Sequence, residues 1–223
     1  MITVEQYNAK LAEFGGVLEH GFHLPGSGKC CASELDHVIR GKRWSSLPGY
    51  LPSLVCINDA YWESDDSRTE HMLPLMSTLS MWSKWSRGKK IKWAEVVAVQ
   101  TVRELLPIAL YYAAVDDSMH CKKVKNLAEA ENATILAMRA AREARTYPTP
   151  GYALVTASQY AENAAKYTLH FIHSINRPND NFYESISLNS RLVDAAALCV
   201  AASSCDFNTI LLACRIWKES AEE

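Results

Sequence analysis

No stretch of this 223-residue chain approaches eighteen consecutive apolar residues, which excludes a membrane-spanning helix. The first residues, Met1 to Gln6, hold neither a basic start nor an apolar run. No export signal is therefore expected, and a cytosolic setting is. No segment alternates apolar and polar residues between turn signals, so β-strands are not expected. An excess of one charge is missing too. The net charge is −2 and the pI near 6.4, which argues against a dedicated nucleic-acid binder while leaving room for a local basic patch. A glycine-rich phosphate loop is also absent: Gly26-Ser27-Gly28-Lys29 lacks the full spacing and follows no strand. No Ser-His-Asp or Cys-His pairing follows from residue order, because such groups meet in space.

What is present is the composition of an ordinary globular chain. Apolar residues make up 48% and charged ones 22%, enough to bury a core without staples and too apolar for wholesale disorder. Seven cysteines is an odd number, and without an export signal they read as free thiols, buried small residues or metal ligands. Cys199 and Cys214 sit in apolar helical patterns and are expected to behave as small hydrophobes.

Alanine divides the chain. Four of 28 alanines fall in residues 1–91 and 24 in 92–223, whereas five of six tryptophans lie at or before Trp93. Small residues let helices approach closely, and large aromatics fill gaps between short elements. The expected fold is all-α: a short-helix N-terminal part (1–91) packed on an alanine-rich bundle of about five helices (92–223). Ser86 to Lys90 is the expected hinge. Apolar spacing predicts helices over 3–18, 32–40 (ended by Gly41), Pro52 to Trp62 and Arg68 to Trp85. Further helices are predicted over 93–115 with a kink at Pro107, and over 120–146, 153–175, 187–203 and 207–220.

Three clusters carry candidate chemistry. In the first, His20, His23, Cys30, Cys31 and Cys56 offer imidazole and thiolate donors around a glycine-rich loop. Zinc is the ion that His23, Cys31 and Cys56 would suit, although the spacing is not a standard one. In the second, Glu34 and His37 stand one helical turn apart, the placement of an oriented general base or of a plain structural pair. The third interleaves indoles with cations: Trp82, Lys84, Trp85, Arg87, Lys89, Lys90, Lys92 and Trp93, with Arg43 and Trp44 as a smaller version. Cations satisfy phosphates and indoles stack on bases, so this pattern suits a nucleotide. The plainer alternative is a solvated segment whose indoles turn inward. A shorter basic run, Cys121 to Lys125, marks either an anion site or a solvated face.

The order Gly21, His23, Gly28, Cys31, Glu34, Gly41, Ser45, Pro48, Cys56, Asn58, Asp59, followed by an alanine-rich helical tail, resembles a group of uncharacterised actinobacterial and phage proteins. The loop before Gly28 is one residue shorter here, Trp44 replaces an expected histidine, and one cysteine before Val55 is absent. The resemblance implies where a site lies and no activity.

The leading expectation is a non-enzymatic binder of an anionic small molecule, with a nucleotide second messenger sequestered by a phage counter-defence protein as its sharpest form. Arg43, Lys89 and Lys90 would hold phosphates, Trp44 and Trp85 would stack on a base, and Glu34 and His37 would complete the site. The alternatives are a metal-assisted hydrolase using His23, Cys31, Glu34 and Cys56, and an interaction protein that inhibits a host factor. The sequence leaves homo-oligomerisation open.

Overall fold

The structure, a computed structural model, describes residues 1–45, 54–60, 62–113, 115, 118–145, 152–176 and 208–222. All regular structure among them is helical, with no strand. No helix among them is long and apolar enough to cross a membrane. The expected helix over 187–203, the breaks at 147–151 and 177–181, the turn residues Ser46 to Pro48, and Cys199 lie outside the described residues.

Helix α1 (Val4–Leu11) starts at a reciprocal cap in which Thr3 and Gln6 each accept the other's backbone N–H, at 3.3 and 2.9 Å. It is shorter than the sequence predicts. A 3-10 turn, Ala12–Phe14, leads into Gly15 at φ +85°, a left-handed conformation that glycine adopts without strain. α2 (Ala32–Ile39) and α3 (Val55–Asn58) follow, then α4 (Asp65–Leu79), whose Ser64 hydroxyl accepts the Ser67 N–H at 3.0 Å. α4 stops before the predicted Trp85, and a 3-10 turn over Trp82–Lys84 takes up the chain.

The segment read as a hinge is instead the first turn of α5 (Arg87–Gln100), capped by Ser86. The kink expected at Pro107 is a π turn, Thr101–Leu105, ahead of α6 (Leu106–Tyr112). Proline has no N–H and its ring crowds the carbonyl four residues back, so the helix widens by one residue before it. Leu106 N–H accordingly donates to the Thr101 carbonyl, five residues back. α7 (Ser118–Lys122), α8 (Leu127–Arg145), α9 (Tyr152–Asn176) and α10 (Asn208–Glu222) complete the described elements.

One apolar cluster runs from Tyr7 to Ala221. α8 and α9 pack through alanine faces: Ala130, Ala133, Ala137 and Ala141 on one, Ala161, Ala164 and Ala165 on the other, all buried. Trp82, Trp93 and Trp217 form an edge-to-face chain with centroids 5.0 and 5.3 Å apart. Trp93 Nε1 donates to the Trp217 carbonyl at 3.1 Å, tying α5 to α10.

Candidate functional site

Residues 15–31 have no regular structure, so their backbone groups need partners from elsewhere. Side chains supply many of them. The fully buried Glu34 (0% exposed) accepts the His23 N–H through Oε1 at 2.9 Å. Its Oε2 lies 3.0 Å from His23 Nδ1 and accepts the Cys31 N–H at 2.8 Å, which also caps α2. Trp44 Nε1 donates to the His23 carbonyl at 2.8 Å, and its ring packs on Phe14 with centroids 5.5 Å apart. Residue 23 is thus fixed through its N–H, its carbonyl and its ring.

The Asn58-Asp59 pair does the same one turn away. Asp59 accepts the Gly21 N–H at 2.9 Å, and Asn58 bridges the Glu19 carbonyl at 3.1 Å and the Ala32 N–H at 3.3 Å. Buried Arg68 donates to the Asn58 carbonyl at 2.8 Å and to the Leu18 carbonyl at 3.1 Å, and pairs with Asp65. Sequence reading missed this arginine, and it missed Asp36, which accepts the Tyr7 hydroxyl at 2.6 Å and Arg40 Nε at 2.9 Å. Burial beside the Asp36 carboxylate pushes the Tyr7 hydroxyl pKa upward. No local motif marks either group, because their partners come from distant segments.

The structure does bring His23, Cys31 and Glu34 together, but as a loop anchor. Burial pushes the Cys30 and Cys31 thiols up to about 12, so both are protonated at neutral pH and poor nucleophiles as they stand. Among the described residues no group of three or more His, Cys, Asp or Glu is placed to hold a metal ion. The Cys56 side chain lies outside the described residues. Glu34 and His37 form no hydrogen-bonded pair: Glu34 serves the loop, and His37 Nδ1 donates to the Ser33 carbonyl at 2.8 Å. The anchored loop displays Phe22 and Leu24, 63% and 67% exposed, on either side of His23.

The indole–cation cluster divides in two. Trp82 and Trp93 are buried and fill the core, while Trp85 is half-buried. Lys89 Nζ lies 4.6 Å over the Trp85 ring and Lys90 Nζ 5.3 Å over that of Trp82. Arg87 and Lys89 are exposed, and the first turn of α5 contains no acid. Arg43 is exposed beside the anchored Trp44, so the smaller copy of the pattern belongs to the loop. Comparison of the chain with models of protein families, with curated proteins and with solved structures gives no match in any of the three.

Proposed function

We propose that this chain is a non-enzymatic binder of an anionic small molecule, with nucleotides as the class to test first. The observation that supports this reading best is the start of α5. Arg87, Lys89 and Lys90 stand in its first turn without an acid, beside a partly open indole. Helix N-termini carry partial positive charge, so cations there are disfavoured unless an anion offsets them. Glu34 and His37 are meanwhile hydrogen-bonded to backbone, and the His23 ring lies against Glu34. Sequestration needs no catalytic group, and a nucleotide messenger is the sharpest form of that role.

The test is thermal-shift and calorimetric titration of the full chain with a nucleotide panel at low salt. Binding that weakens with added salt and with Lys89→Glu/Lys90→Glu is expected. No heat and no shift with any member ends the reading. A second reading, docking to a partner protein, is favoured by the exposure of Phe22 and Leu24 on a loop that is already ordered, since ordering costs on binding would be small. Pull-down with wild type and Phe22→Ser/Leu24→Ser tests it; identical captures remove it.

A further inference from the structure

Lys89, Lys92, Val96 and Val99 are three or four residues apart and so follow one side of α5, with Arg103 beyond them in the π turn. That side opens into a trough. Val96, Val99, Gln100 and Arg103 line a cavity of about 340 Å³ whose far wall is Lys125, Asn126 and Leu127, where α8 begins. Arg103 also borders an adjoining cavity of about 580 Å³ with Pro107, Ile108, Tyr111, Tyr112 and Lys122. The π turn lies between them, a distortion found often at functional sites. The basic run noted in the sequence, Cys121 to Lys125, thus supplies the wall facing Arg103.

Two exposed side chains stand along this trough. Arg103 is exposed and makes no hydrogen bond or ion pair with a described residue, while its neighbour Glu104 is committed to Arg215. Tyr111 is 75% exposed and stands edge-to-face to Tyr112 at 5.4 Å. Cations and a flat aromatic face occur along one concave surface of a size that small ligands occupy.

We infer that this trough is a nucleotide site separate from the start of α5, roughly 20 Å further along the helix, an assignment that goes beyond the anion-binding reading above while sharing its ligand class. The phosphate lies on Arg103, with Lys122 and Lys125 across from it. The base lies against Tyr111. Glu95 on one wall and Glu104 on the other limit the negative charge the trough accepts, so a monophosphate is the appropriate probe.

Calorimetric titration of the full chain with AMP, adenosine and inorganic phosphate tests it. AMP is expected to bind at least about ten-fold more tightly than either fragment, and Arg103→Glu and Tyr111→Ser each to weaken it by about ten-fold or more. Both positions face solvent, and thermal melts establish that the variants are folded. Loss with Arg103→Glu but none with Tyr111→Ser overturns the nucleotide assignment in favour of a bare anion site. AMP binding that survives both substitutions yet disappears in Lys89→Glu/Lys90→Glu overturns this pocket and leaves the anion-binding reading intact. A wild-type chain that binds no nucleotide overturns both.

Discussion

The loop over residues 15–31 and the α8–α9 pair are held by opposite means. In the loop, Glu34, Asn58, Asp59, Arg68 and Trp44 each bond to main-chain groups that no helix or sheet serves. Across α8 and α9, buried alanines let two regular helices approach, and the helices satisfy their own backbones. Irregular backbone needs polar side chains, and those are the same residue types that catalysis uses. A run of His, Cys, Glu, Asn and Asp in an otherwise plain helical chain therefore marks where the backbone leaves regular structure before it marks chemistry.

Substitutions in the two kinds of region should separate cleanly. Trp93→Ala removes the middle ring of the apolar chain and the bond to the Trp217 carbonyl. It is expected to cost about 4 kcal/mol in denaturant unfolding. A cost under about 1 kcal/mol would show that the ring chain is not a keystone of the core. Glu34→Ala orphans the buried Cys31 N–H and the half-buried His23 N–H and releases the His23 ring from its carboxylate, at roughly 3 kcal/mol. Its mark is local: amide exchange should accelerate through residues 19–31 while α8 and α9 keep their protection. Uniform loss of protection would merge the two regions into one.

The buried thiols give a pH signature. The unfolded chain loses these protons from about pH 9, whereas the folded chain keeps them up to about pH 12. Deprotonation then favours the unfolded form, so their contribution to stability is complete below pH 9 and is lost as pH rises through that window. Cys30→Ala/Cys31→Ala should flatten the alkaline decline; an unchanged pH profile would contradict the raised thiols. The smallest effect is expected at the displayed tip. Phe22→Ser and Leu24→Ser should each change stability by no more than about 0.5 kcal/mol, since neither side chain is buried. A larger loss in either melt would mean that these groups pack on the fold.

Much of this architecture was legible because it follows periodicity. The alanine spacing marks α8, although the helix read over 120–146 is broken at residues 123–126 into α7 and α8. The apolar spacing marks α10, and Gly41 stands just past the end of α2 at φ +65°. The kink before Pro107 was legible in place but not in form, because a widened turn depends on how the helix repacks. The overlong reading of α1 came from giving apolar Phe14 and Leu18 more weight than the Gly15-Gly16 break. For the site, proximity was legible and purpose was not: His23, Cys31 and Glu34 do meet. Which backbone groups they serve depends on a loop path that no spacing encodes. Trp82 and Trp93 share a pattern with Trp85, and only packing separates core filler from open face. The trough required two segments to meet, so only the run from Cys121 to Lys125 hinted at it.

The division between an anchoring region and a binding region is tested most directly by titrating AMP into uniformly ¹⁵N-labelled protein and following every backbone amide. The account predicts shifts concentrated at residues 85–90, 96–112 and 122–127, with the amides of His23, Cys31 and Glu34 unmoved. Shifts concentrated instead on residues 19–44 would contradict it, returning the chemistry to the loop that we assign to structure.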